Sequence, residues 1–397
     1  MNLGLRLARV GGPTSGAFAA RAAWLRRDGI LLGIFDDDRL LGTGEASPLP
    51  NWNGDGLERA VEALQGLVAR SRDAAFLREV VDAFAKGMVD ALGKDMPGAS
   101  HSDRSPSASS GELAPSVLQI EPALSASPSA RFAIETALGD MLARSRGDAL
   151  GTLWSTRRAV PRSTLIGHLD DPAHVAAAKR AVQRGARTLK LKARGEEPAL
   201  EATRVRELVA ELEAPVHVRL DLNGGLDLER ARRALDAYAA ANVEFVEEPT
   251  AGASLLQLGA CATPWFADES LCDEPLRNEL VDCAALGGVV LKPTLLGGLS
   301  ACRRLAAAAR NRGKAVVVTH AFEGPVALAA CAELAMSLAN VGDMAAGVDV
   351  HAALDAFPPC KLPQLEDDGV PLTVAPAAVV GHGVTFTEVD WETSSCP

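Results

Sequence analysis

Long apolar runs are missing from this chain of 397 residues. No stretch of 18 or more consecutive apolar residues occurs, so no bilayer-spanning helix is expected. A basic surplus is missing as well. Forty Lys and Arg stand against 51 Asp and Glu, a formal net charge of −11, with a pI near 5.2. That balance argues against nucleic acid and against an anionic membrane surface as partners. Clustered cysteine is absent. The seven cysteines all fall from Cys261 onward, and none forms a CxxC pair. Neither a disulfide framework nor a zinc site is expected, and the thiols are read as reduced. No GxGxxG or Walker turn follows a strand pattern, which disfavours dinucleotide and ATP binding. The opening MNLGLRLARVGGPTSG lacks a sustained apolar segment, so a signal peptide is not expected and the cytoplasm is the expected location. Aromatic residues are scarce, at 4%.

What is present is a globular composition, 48% hydrophobic and 23% charged. The length accommodates a barrel of roughly 200 to 250 residues and a second unit of about 150. Residues 1–160 read as an α+β capping domain: strand patterns at Leu3 to Val10, Ala22 to Phe35 and Arg39 to Ala46, then helical patterns at Gly56 to Arg70, Ala74 to Leu92 and Ser129 to Arg146. Residues 94–127, rich in Ser, Pro, Gly and Ala, read as a surface insertion. From Ser163 apolar strands alternate with amphipathic helices. Eight such strands, ending in MAAGVDV, predict an α/β fold of the TIM-type (β/α) barrel over 161–351. Residues 352–397 are expected to return to the cap.

Side chains alternate across a strand, so residues two apart share a face. In RTLKLKA, Leu189 and Leu191 would face the helices and Lys190 and Lys192 the barrel interior. In HVRLDLNG, the inward set would be Arg219, Asp221 and Asn223. Lys192, Asp221, Glu247, Asp268 and Lys292 each close a successive strand, about one β/α unit apart, at the end where barrels carry their chemistry. Asp221, Glu247 and Asp268 form an all-oxygen donor set, which suits Mg²⁺ or Mn²⁺. Lysines flanking such a cation become useful bases when burial and nearby positive charge depress their pKa. His320, after the seventh strand, reads equally as a site residue or a packed histidine.

These motifs, KLK, RLDLN, VEEP, ADES and LKPTLLGG, together with GTGEASPLP and SARFAIETALGDMLAR before the barrel, resemble the enolase superfamily, in its muconate-lactonizing subgroup. In that superfamily a Lys or His base works with Mg²⁺ that stabilises an enediolate, and this chemistry comes with the resemblance. Among the subgroup's families the pattern is most similar to the o-succinylbenzoate synthases of menaquinone synthesis, which dehydrate a succinyl-hydroxycyclohexadiene carboxylate to 2-succinylbenzoate. The resemblance implies Lys192 as base and then acid, Lys292 on the opposite face of the substrate, and Lys190 as an electrophilic neighbour. It implies Asp221, Glu247 and Asp268 as metal ligands, with Glu248 behind them, and Arg219, Asn223, Glu269, Thr319 and Glu323 as supporting or substrate-binding residues. The partner would be a small carboxylate, and a homo-oligomer is compatible with the sequence.

THAFEGPVAL at Thr319 to Leu328 departs from the Ser-Ser-x-Glu-Ser pattern of many members, although Glu323 keeps the acidic position. The Gly-rich stretch Gly11 to Arg21 reads as a lid. A racemase or epimerase, or a related cycloisomerase, would use the same lysines. Against a dipeptide epimerase stands Asp349-Val350-His351, where an Asp-x-Asp is usual. A relic barrel without catalysis is the remaining alternative.

Overall fold

The computed structural model describes residues 3–19, 22–50, 54–94, 122–366, 372–386 and 388–392. Alternating apolar residues in the first segment build an antiparallel sheet of β1 (Leu3–Ala19), β2 (Ala22–Asp36) and β3 (Arg39–Ala46). Asp37 turns the chain between β2 and β3 in a left-handed conformation, φ 53°. The expected lid stretch is instead continuous with β1: Ala17, Phe18 and Ala19 pair with Trp24, Ala23 and Ala22 after a register shift between Pro13 and Ala17. Residues 20 and 21 lie outside the described residues.

Three helices cover this sheet: α1 (Leu57–Arg70), α2 (Ala74–Lys94) and α3 (Pro128–Arg146). Ser127 caps α3 by accepting the Ala130 N–H, Pro128 occupies the first turn, and Gly147 ends the helix at φ 73°. The helix lies so close to β3 that a Cβ at Gly44 would run into the Ala133 carbonyl. Most of the expected insertion, residues 95–121, is outside the described residues; its end, Pro122–Ala126, is a short 3-10 helix.

After the two-residue β4 (Val160–Pro161), strands and helices alternate. The strands are β5 (Ser163–His168), β6 (Thr188–Lys192), β7 (His217–Asp221), β8 (Phe245–Glu247), β9 (Trp265–Ala267), β10 (Gly288–Leu291) and β11 (Ala315–Val318). Between them lie α4 (Pro172–Gln183), α5 (Pro198–Ala210), α6 (Leu228–Ala239), α7 (Glu274–Asp282), α8 (Pro293–Leu296) and α9 (Leu299–Arg310); the β8–β9 connection is a single 3-10 turn. Asp171, Asp227 and Asp273 each accept a backbone N–H at a helix start, and prolines at N1 or N2 switch strand to helix in α4, α5, α7 and α8.

The seven strands form one parallel sheet in sequential order from β5 to β11. The expected eighth strand is reduced to two bridges, Ala346 to Arg162 and Gly347 to Thr319. Backbone hydrogen bonds still close both edges there, Ser163 N–H to Ala346 O and Gly347 N–H to Val318 O, each at 2.8 Å, and Ser163 Oγ and Thr319 Oγ1 add bonds to the carbonyls of Ala346 and Gly347 at 3.3 and 2.9 Å. The curled sheet with its capping domain is a modified TIM barrel. In α10 (Pro325–Leu338) every residue from Pro325 to Ser337 is buried, as befits a largely apolar helix, and its one charge, Glu333, is paired with Arg157 at 3.0 Å. The tail meets the cap: Glu392 N–H donates to Leu7 O at 2.8 Å, Trp391 packs edge-on against Phe35, and β12 (Thr373–Val374) pairs with β4.

Among the described residues no helix is long and apolar enough to cross a membrane. Six cysteines there are free thiols.

Candidate active site

Parallel register brings the charged strand ends into a row. Lys192 on β6 pairs with Asp221 on β7, and Asp221 with Glu247 on β8. Leu189 and Leu191 are buried against the helices, which leaves both lysines to the interior. One layer deeper, Arg219 apart, the interior is apolar: Phe245 and Phe266 stack at 3.9 Å, beside Val290 and Val317. The polar groups therefore sit on a greasy floor.

Above that floor lies a cavity of about 680 Å³, lined among others by Lys190, Lys192, Lys292, Asn223, Glu269 and Thr319. Lys192 Nζ is 2.5 Å from Asp221 Oδ2 and 2.8 Å from Asn223 Oδ1. Lys190 Nζ bridges two carboxylates, 2.6 Å from Glu247 Oε1 and 2.9 Å from Asp221 Oδ2. Lys292 donates to Asp268 and lies 3.8 Å from Glu247 Oε1.

At Lys190, Asp221 and Lys292 burial opposes the charge and the neighbours outweigh it; at Asp268 burial, and then Glu269, push the carboxyl well above its usual range. Burial presses the Lys190 ammonium down, but Asp221 and Glu247 outweigh it and hold its pKa above the ordinary lysine range. For Asp221, burial pushes up while Lys190, Lys192 and Lys292 pull its carboxyl far below the usual range. Lys292 is likewise raised against burial, by Asp268 and then Glu247.

Three residues at this rim hold left-handed backbones without being glycine: Asn223 (φ 46°), Glu248 (φ 45°) and Phe322 (φ 57°). Such conformations cost about 1 kcal/mol each and cluster at functional sites. At Glu248 the turn sends its carboxylate away from Glu247. It accepts the Asp268 and Ser270 N–H groups at 2.7 and 3.0 Å and so sets the start of the next loop. Burial and then Glu269 push the Glu248 pKa up to about 8. Asn223 links Lys192 to Glu269, donating Nδ2 to Glu269 Oε1 at 2.7 Å.

Five expected residues do not line the cavity: Asp221, Glu247 and Asp268 lie behind the lysines that pair with them, and two more, Arg219 and Glu323, lie away from the row altogether. Arg219 points inward but one pleat below Asp221, where it lies over Phe245 and donates to Glu244 Oε2 (2.5 Å) and the Ala345 carbonyl (2.7 Å). It braces the barrel closure and does not orient the site. Glu323 is fully buried and accepts from Thr294 Oγ1 (2.6 Å) and the Ala321 N–H (2.5 Å), so it ties two loops together and meets no ligand space.

Other lining residues escaped the sequence reading. His168 ends β5 level with Lys192, so the strand-end rule, started one strand earlier, would have found it. Trp24 comes from the cap and His351 from the tail side, with His320 and Phe322 between them: His320 and His351 rings are 4.5 Å apart, and Trp24 meets Phe322 edge-on at 5.7 Å. Asp349 also lines the cavity but is engaged by Thr164 Oγ1 at 3.0 Å and Arg162 Nε at 3.2 Å.

Among the described residues no three acidic, imidazole or thiol groups converge on a common point as they stand; the lysine ammonium groups lie between the carboxylates. The donor set nonetheless fits a hard divalent cation. Asp221 and Glu247 oxygens already meet at a single positive nitrogen, Lys190 Nζ, and all donors are oxygens.

A parallel barrel whose C-terminal strand ends gather lysines and carboxylates beneath a cap defines the class of barrel enzymes with a rim-borne site. The Enolase C-terminal domain-like family matches residues 173–389, and the chain belongs to that family. The relatives place it in the enolase superfamily beside muconate-lactonizing enzymes. Muconate cycloisomerase 1 of Rhodococcus opacus is 29% identical over 51% of this chain and 58% of its own length. A hydrophobic dipeptide epimerase of Roseobacter litoralis is 31% identical over 64% and 73%. An o-succinylbenzoate synthase of Thermobifida fusca is 36% identical over 41% and 51%. The chain thus spans little more than half the length of two of these relatives. In overall fold it is similar to the dipeptide epimerase of Methylococcus capsulatus complexed with Mg and the dipeptide L-Arg-D-Lys, with TM-score 0.72, 22% identity, and 97% and 99% of the two chains covered.

Proposed function

We propose that this chain removes the proton α to a carboxylate from a small carboxylic acid, and that it does so as an o-succinylbenzoate synthase. The observation that carries the reading is the placement of Lys192 and Lys292 on opposite flanks of one carboxylate row, at the mouth of one cavity. In this reading Asp221, Glu247 and Asp268 hold Mg²⁺, and the same oxygen set admits Mn²⁺. A cation held there would supply fixed positive charge against a substrate carboxylate. Magnesium in the similar Methylococcus capsulatus structure supports that assignment.

Lys192 takes the α-proton; Asn223 holds its Nζ in place. Lys292 remains an ammonium on the far side and stabilises the negative charge as it builds, and Lys190 adds to the same field. Lys192 then returns its proton to the departing hydroxyl, water leaves, and the ring becomes aromatic. One group thus serves twice, as base and as acid.

An epimerase or racemase reading uses the same pair, each lysine serving one face. The 31% identity to the hydrophobic dipeptide epimerase favours it. The test presents the Mg²⁺-loaded protein with the succinyl-hydroxycyclohexadiene carboxylate, following aromatic product by absorbance, and with N-acyl amino acids and dipeptides in D₂O. Aromatisation is the expected dominant activity. Deuterium incorporation without dehydration assigns the chain to the racemases or epimerases, and neither activity defeats both readings.

A further inference from the structure

The loop after β11 holds a histidine for which neither the lysines nor the carboxylates account. His320 lines the same cavity as Lys190, Lys192 and Lys292. Its Nδ1 accepts the N–H of Phe322 at 3.0 Å. That bond belongs to a tight turn in which Phe322 holds φ 57°, a conformation that other contacts must maintain. The maintenance comes from the cap sheet. Arg27, 1% exposed, donates Nε to the Phe322 carbonyl at 3.1 Å, and its remaining nitrogens to the carbonyls of Pro48 and Ser47 at 2.8 and 2.9 Å. On the other side of Phe322, the buried Glu323 accepts the Ala321 N–H.

A ring nitrogen that accepts a hydrogen bond carries no proton. With Nδ1 committed to Phe322, the single proton of the imidazole resides on Nε2, and the ring offers a donor. A second proton is resisted, because burial, then His351, Lys190 and Lys292, push the His320 pKa well below its ordinary value. General-base work would need a lone pair facing the substrate, and the only one is spent on the backbone.

We infer that His320 touches the substrate, donating its Nε2–H to a carboxylate or carbonyl oxygen seated beside the lysines, and that Phe322 and Arg27 are positioning residues that fix this tautomer. The substrate contact rests on the carboxylate-substrate reading above; the tautomer does not.

The experiment is long-range ¹H–¹⁵N NMR of the full chain, ¹⁵N-labelled at histidine, with Mg²⁺ present. His320 is expected to show a protonated Nε2 and a bare Nδ1 unchanged from about pH 6 to about pH 9. An Nδ1–H tautomer or an imidazolium overturns the inference whatever the enzyme's activity. Arg27→Lys should let the second tautomer appear; an unchanged ratio removes Arg27 from its positioning role. In kinetics, His320→Gln, which retains an N–H donor, should keep kcat/KM within about tenfold, while His320→Leu should lose about 10²-fold. Equal effects of the two variants overturn the substrate contact. If the wild-type chain turns over no carboxylate at all, the proposed function fails, and the tautomer measurement alone decides this inference.

Discussion

Lys192 Nζ and Asp221 Oδ2 stand 2.5 Å apart across two neighbouring strands whose residues are in register. The pairing puts a potential base and a potential metal ligand in direct contact. Each has a second partner, Lys190 for Asp221 and Asn223 for Lys192, so the contact can open while both groups stay held. Lys192→Ala should lower kcat by about 10² to 10⁴-fold, since no other group replaces a base that also returns the proton. The fold should survive, because Lys192 faces the cavity and the apolar floor lies beneath it. Steady-state kinetics with a thermal melt checks both halves of this statement.

Asp221→Asn should act twice. Without the cation, it leaves Lys190 and Lys192 short of a buried counter-charge, and breaking such a pair costs about 3 to 5 kcal/mol. It also removes a ligand oxygen, so Mg²⁺ affinity should fall. Denaturant unfolding without metal and calorimetric Mg²⁺ titration separate the two effects. A variant as stable as the parent, with Mg²⁺ binding unchanged, would remove Asp221 from the site. Chelation of the parent enzyme should abolish turnover, and added Mg²⁺ should restore it.

Glu45 of the cap sheet accepts the N–H groups of Gly324 and Val326 at 2.6 and 2.9 Å, where α10 begins. Glu45→Ala orphans these buried donors. A loss of about 1 to 3 kcal/mol is expected in urea unfolding, large for a single position linking cap to barrel. A loss within a few tenths of a kcal/mol would show that water replaces the carboxylate.

His351 supplies a pH dependence of stability. Its ring titrates near 6.5 when unfolded; burial, and then the Arg27 charge, lower it to about 3 in the folded protein. Between these values the unfolded chain holds a proton that the native chain does not. The contribution is thus complete above about pH 6.5 and drains as pH falls toward about 3, by up to about 1.4 kcal/mol per pH unit. His351→Phe should flatten the acid limb by one proton's worth of slope; an unchanged slope contradicts the assignment.

The row from Lys192 to Lys292 was legible in the sequence because two regularities coincide there: alternation along each strand, and one β/α unit between strand ends. Alternation reports the face of a strand but not the depth along it. That is why Arg219, correctly turned inward, was misjudged as a site residue while it lies beside Phe245. Glu323 misled for another reason: an acidic residue in a loop has no periodicity to separate ligand space from a buried brace. Trp24 and His351 were invisible because they reach the cavity from the cap and the tail side, in segments whose spacing bears no relation to the barrel repeat. The eighth strand is expected from the short apolar stretch in MAAGVDV, where the structure forms two bridges, because a run this short with a glycine in it makes no extended strand.

Loss of the hydrogen at the carbon α to the carboxylate, followed by NMR in D₂O with Mg²⁺ and the succinyl-hydroxycyclohexadiene carboxylate, tests the base most directly. The parent enzyme should wash out or exchange that hydrogen during turnover, and Lys192→Ala should not. Exchange and product formation undiminished in Lys192→Ala would contradict the account at its root.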